Sequence, residues 1–227
     1  MKTEKEIKIE MKDTVNGADI RRVHNLIILD ESGSMESIYM PALSGLNETL
    51  QTIRQAQMEH EDQRHFVSLI AFNSGQFNRI YDNTPADHTI DITREQYRPC
   101  GGTPLYDAMG RAINELRRNV GREDIVLVTV ITDGYENASR EYNGHAIKSL
   151  VEEMKRQDWI FTYIGANQDV EAVASTLSID NRLSFAADHE GTDAMWEMEK
   201  KSRKKFYGRV SCCSRLKDLA DDYFNII

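Results

Sequence analysis

The tightest constraint on the fold lies in one stretch, Asn25-Leu26-Ile27-Ile28-Leu29-Asp30-Glu31-Ser32-Gly33-Ser34-Met35, where an aliphatic run stops at an acid and two hydroxyls spaced two apart. Leu26, Ile27, Ile28 and Leu29 follow one another without the alternation of a half-exposed strand. They suit a strand covered on both faces, in the middle of a parallel sheet. Open parallel sheets place their ligand sites at the carboxyl ends of such strands. Beyond that end Asp30, Ser32 and Ser34 alternate, so an extended turn points all three oxygens the same way. An oxygen-only set suits a hard divalent cation.

The rest of the chain alternates strands and helices. Leu43, Leu46, Leu50 and Ile53 recur at helical spacing and predict a helix over 37–58. Residues 65–72 form a second strand closed by Asn73-Ser74-Gly75, and 77–81 follow too soon for a helical crossover. That third strand should pair antiparallel at the sheet edge. Pro85, Pro99 and Gly101-Gly102 make 82–102 irregular, with one short helix near 94–97. Thr103-Pro104 then opens a helix through Leu105, Met109, Ala112, Leu116 and Val120. An aliphatic strand over 125–131 delivers Thr132-Asp133-Gly134 at its end, a second acid in the position of Asp30. Helices over 143–156, 170–177 and 192–207 alternate with strands over 159–164 and 183–187, and a last helix is expected over 216–224. Strands separated by helices of this length imply parallel crossovers and a three-layer α/β sandwich.

Composition limits what this chain can bind. With 227 residues and 40% hydrophobic content it fills one core, so residues 21–210 read as one domain. Residues 1–20 form a lead-in or an edge strand on Ile7, Ile9 and Met11, and 211–227 a helical tail packed on the same domain. A balance of 28 basic against 37 acidic residues gives −9, which repels nucleic acid and acidic membrane surfaces. Three cysteines, two of them adjacent at Cys212 and Cys213, make neither a disulfide framework nor a zinc site and fit reduced thiols. The head, rich in Lys and Glu, holds no signal-peptide core, and no run reaches about 18 apolar residues. The expectation is a soluble, cytoplasmic protein without membrane insertion.

Three loops now stand together: Asp30-x-Ser32-x-Ser34, Gly101-Gly102-Thr103-Pro104-Leu105 and Thr132-Asp133-Gly134. Their order, intervals and context resemble a von Willebrand factor A (vWA) domain, over roughly residues 23–207. The resemblance implies a Rossmann-like fold, with a mostly parallel central sheet, one antiparallel edge strand and helices on both faces. It also implies a metal-ion-dependent adhesion site. Ser32 and Ser34 would be direct hydroxyl ligands and Thr103 a third, while Asp30 and Asp133 hold the ion directly or through water. The family usually binds Mg²⁺ or Mn²⁺ there. The partner is then another protein, reached through an Asp or Glu carboxylate at the metal, and the chain works alone or as a subunit of a larger complex.

Each residue also has a plainer role. Thr103 before Pro104 is a good helix N-cap, with proline at the first helical position, and Asp133-Gly134 alone makes a turn. Asp107 and Glu136 suit loop-holding better than ligation. The run Lys200-Lys201-Ser202-Arg203-Lys204-Lys205 reads as a solvated helix end. His60 and His65 read as surface or packing residues. The competing function is a metal-dependent hydrolase or phosphatase with Asp30 as nucleophile. Against it, Ser32 stands where a second acid belongs, and neither a phosphate-binding G-x-x-x-x-G-K-[ST] loop nor a G-x-S-x-G elbow is present. The chain is therefore expected not to be an enzyme.

Overall fold

The computed structural model describes residues 14–15, 18–212 and 223–224. A two-stranded ribbon, β1 (Thr14–Val15) with β2 (Ala18–Asp19), precedes the main unit. There follow β3 (Arg21–Asp30), α1 (Tyr39–Glu59), β4 (Gln63–Asn73), β5 (Gln76–Pro85), α2 (Leu105–Leu116), β6 (Ile125–Thr132), α3 (Gly144–Lys155), β7 (Ile160–Gly165), α4 (Val170–Thr176), β8 (Asn181–Ser184) and α5 (His189–Cys212). The expected strand at Ile7, Ile9 and Met11 lies outside the described residues.

The main sheet has the order β5-β4-β3-β6-β7-β8, parallel throughout except for β5, which pairs antiparallel with β4 at the edge. β3 is therefore central, and its unbroken aliphatic run serves two cores at once. Ile27 and Leu29 point into the cluster that holds Leu46, Leu50 and Ile53 of α1 and Trp196 and Phe206 of α5. Leu26 and Ile28 point into the opposite cluster, with Met109 and Ile113 of α2 and Val151 of α3. Burial on both faces is why alternation is absent from this strand and from β6. The result is the three-layer α/β sandwich with one antiparallel edge strand.

Five local expectations need correction. The first helix does not run from residue 37: a 3-10 helix, Gly33–Ile38, precedes α1. No helix forms at 94–97. Residues 94–96 make a turn, while a 3-10 turn forms at Ala86–His88. Tyr97 is fully buried, stacks on Tyr39 and donates its hydroxyl to the Asp30 carbonyl at 2.9 Å, which fixes it in irregular backbone. β5 runs on to Pro85 because register shifts around Leu69 absorb its extra length, with Asn83 at φ 44. β8 spans Asn181–Ser184 rather than 183–187.

The fifth correction is α5, which is longer than 192–207 and changes the meaning of the basic run. Asp188 starts it, accepting from Gly191 N at 2.7 Å, and it continues to Cys212. Lys200 to Lys205 thus lie inside the helix, and Arg203 is fully buried rather than solvated. Its guanidinium pairs with Glu199 at 2.7 Å and donates to Asn25 Oδ1 of β3 and Thr129 Oγ1 of β6. Tyr207 OH also reaches Asn25 Oδ1, at 2.6 Å. Buried charge is tolerated where it is paired and hydrogen-bonded. Of the helix expected over 216–224, residues 216–222 lie outside the described residues. Tyr223 and Phe224 are in a turn, with Tyr223 buried against Phe206 and bonded to Glu199.

Candidate metal centre

The register of the central strands builds the site. Leu29 pairs with Ile131 across β3 and β6, so Asp30 and Thr132 leave the sheet side by side at its carboxyl end. Asp30 Oδ2 accepts the Thr132 hydroxyl at 2.6 Å, and Oδ1 accepts the backbone N–H of Ser32 at 2.7 Å. That second bond folds the loop back into the 3-10 turn and sets Ser32 Oγ 3.1 Å from Ser34 Oγ. Ser34 Oγ donates to Asp133 Oδ1 at 2.5 Å, joining the first loop to the one after β6. A Cβ placed on Gly134 would stand 3.6 Å from Ser34 Oγ and 3.9 Å from Thr103 Oγ1, so the third loop converges on the same point. Asp30, Ser32, Ser34, Thr103 and Asp133 are thus gathered at one end of the sheet.

Burial sets the electrostatics. Asp30, Ser32, Thr103 and Asp133 are buried, while Ser34 is exposed and opens the cluster to solvent. Burial pushes the Asp30 carboxyl up to about 6, against the hydrogen bonds from Thr132 and Ser32. Burial raises Asp133 as well, opposed by the Ser34 hydroxyl. Among the described residues neither acid has a salt-bridge partner. Among the described residues Asp133 Oδ2 is buried without a hydrogen-bond partner. Native structures seldom leave such an atom unsatisfied, and a bound cation would satisfy it.

The donor set fits a hard cation. Once the Ser34 proton points at Asp133, Ser34 accepts from the Ser32 hydroxyl, and a lone pair on each remains for a cation. Among the described residues no three or more His, Cys, Asp or Glu side chains are placed to share a metal, so the cluster is rich in hydroxyls and poor in charge. Such a set suits an ion that keeps several waters, as Mg²⁺ does.

Thr103 is not a helix cap. α2 begins at Leu105 with Pro104 in the capping position and no side-chain cap bond. The proline ring takes the place in which the threonine was expected to act, and the Thr103 hydroxyl is left to the cluster. Asp107 and Glu136 hold loops. Asp107 accepts the backbone N–H groups of Arg140, Glu141 and Tyr142, and Glu136 those of Ala138, Ser139 and Tyr106. Sequence reasoning missed Glu31 and Tyr97. Glu31 Oε1 accepts Arg98 N and Oε2 accepts Gln76 Nε2 at 2.8 Å, so both oxygens are spent on tying neighbouring loops to Asp30. A lone acid beside the motif gave no signal for that role.

No family model and no curated protein matches the sequence. Solved structures do match in fold. The PilB minor pilin from Streptococcus sanguinis superposes with a TM-score of 0.60 at 13% identity, covering 88% of this chain and 64% of the pilin. The chain thus spans a little under two thirds of that protein's length. The vWF domain of the type V pili tip protein Mfa5 from Porphyromonas gingivalis gives 0.53 at 11% identity, covering 79% of this chain and 95% of that domain. The SpRpn10 VWA domain gives 0.50 at 10% identity over 76% of this chain and 92% of its own. The chain has the fold of the von Willebrand factor A domains.

Proposed function

We propose that this chain is a metal-dependent protein-binding module, in which a divalent cation held at the end of β3 and β6 captures a carboxylate of a partner protein. Ser32, Ser34 and Thr103 supply hydroxyl oxygens, and Asp30 and Asp133 supply the charge. The observation that carries the reading is the buried, partnerless Asp133 Oδ2 beside a cluster of hydroxyls. When bound, Mg²⁺ or Mn²⁺ supplies a Lewis-acidic centre with exchangeable positions. Two carboxylates only balance two positive charges and the hydroxyls add none, so the centre stays attractive to a further anion. On a protein of net charge −9 an acidic partner is otherwise repelled, which makes binding conditional on the ion. Two of the proteins that share the fold are described as a minor pilin and a pili tip protein, which supports a module that contacts other proteins.

The hydrolase reading is weaker. Asp30 is fully buried and both its oxygens already accept hydrogen bonds, so as a nucleophile it has no approach to a substrate. The test is capture of partners with Mg²⁺ and with chelator, followed by conversion of the partner's acidic residues to amides one at a time. One such change should abolish metal-dependent capture. Capture that survives every change while still requiring metal contradicts the carboxylate bridge.

A further inference from the structure

Thr103 lies in the loop ahead of α2, outside any helix or strand. Its segment is gripped from two sides by reciprocal hydrogen bonds. Ser74, in the turn between β4 and β5, donates its backbone N–H to the Gly102 carbonyl and accepts the Gly102 N–H on Oγ, both at 2.9 Å. Asn137, in the loop after β6, donates its N–H to the Thr103 carbonyl at 3.1 Å and accepts the Thr103 N–H on Oδ1 at 2.9 Å. Two successive residues therefore have all four backbone polar groups bound by one residue each. The glycines make this possible. A Cβ on Gly101, which sits at φ +71, would lie 2.5 Å from Ser74 Oγ, and a Cβ on Gly102 would lie 2.7 Å from Asn137 Oδ1. The Gly101 carbonyl accepts Gly33 N at 3.0 Å, which ties the same segment to the Ser32–Ser34 loop.

We infer that Asn137 and Ser74 are positioning residues for the metal: they set where the Thr103 hydroxyl stands without touching the ion, and Gly101-Gly102 is the gap that lets their oxygens close on the backbone. The inference rests on the metal reading above. Asn137 lies four residues beyond Asp133, so it also makes Thr103 move with the acid rather than with α2. Outer partners of this kind typically change metal affinity by about 10- to 100-fold when lost.

The experiment is Mg²⁺ titration of the full chain by calorimetry, with amide hydrogen exchange on the same samples. Asn137→Ala and Ser74→Ala should each weaken Mg²⁺ binding by about tenfold or more, with faster exchange confined to the Gly102 and Thr103 amides. Asn137→Asp, which keeps the acceptor oxygen, should restore affinity. In the parent, Mg²⁺ should slow exchange at those two amides. A parent that binds Mg²⁺ while Asn137→Ala stays within about twofold of it overturns the positioning role and leaves the metal reading intact. If the alanine variants do not fold, unchanged parental exchange at Gly102 and Thr103 on adding Mg²⁺ overturns it equally. A parent that binds no divalent ion removes both.

Discussion

Asp30 carries a cost that a cation would relieve, and its sign can be worked out. Burial lifts its folded-state value from 3.8 to about 6, so the folded protein holds this proton more tightly than the unfolded chain does. Stability associated with the proton is complete below pH ~4 and is lost as pH rises through ~6, on the order of 3 kcal/mol in all. In chelator, Asp30→Asn should therefore be more stable than the parent at pH 7, by an amount that vanishes toward pH 4. The asparagine can still accept Ser32 N, and the Thr132 hydroxyl can turn to the Gly134 carbonyl, 3.2 Å away. His65, pushed down to about 3 by burial, gives the opposite slope but cancels in the comparison between variants. Denaturant melts at several pH values measure the difference, and a gap independent of pH would mean that the Asp30 proton is not its source. Thr103 separates binding from stability. With no cap bond to lose, Thr103→Ala should change chelated stability by less than the ~1 kcal/mol of a lost N-cap, yet abolish the stabilisation by Mg²⁺. Thr103→Ser should restore the latter.

At the scale of elements, α5 is fastened to the sheet by charge as well as by apolar contact. Arg203→Ala strands Glu199, which is fully buried, and should cost about 3–5 kcal/mol. Replacing both residues, as Glu199→Gln with Arg203→Met, should recover much of that loss, because no unpaired charge is left inside. Urea denaturation of the three proteins measures this. A double variant as unstable as Arg203→Ala would mean that the geometry of the pair, not its charge, holds the helix. This network also marks the limit of what the sequence makes legible. The aliphatic runs ending at Asp30 and Asp133 announce central strands because burial on both faces leaves a pattern in the run itself. Arg203 leaves none: it sits among lysines, and its partners Asn25 and Thr129 are single polar residues in strands far away in the chain. Tyr97 escaped for the same reason, since its partner is a backbone carbonyl 67 positions away. The five candidate site residues are legible because each follows or precedes a recognisable element. The capping role of Thr103 failed because the choice between threonine and proline at a helix start depends on where α2 is anchored, which local spacing does not determine.

For the whole molecule, the sheet order brings β3 and β6 together so that two acids meet at one pole, and the loops there are joined to one another by hydrogen bonds through Ser34, Gly101, Ser74 and Asn137. Hydrogen bonds within the chain fix the loops of this pole to one another. Metal should therefore bind with little rearrangement and stabilise the folded chain by mass action, about 2.7 kcal/mol at a hundred times the dissociation constant. The most direct test is a crystal structure of the chain grown with Mn²⁺ and measured for anomalous scattering. One strong peak is expected about 2.1 Å from the hydroxyl oxygens of Ser32 and Ser34, close to Thr103 Oγ1 and facing Asp133 Oδ2, and it should be lost in Asp133→Ala. A peak elsewhere, or none in a crystal whose Asp133 Oδ2 remains without a partner, would contradict the metal centre.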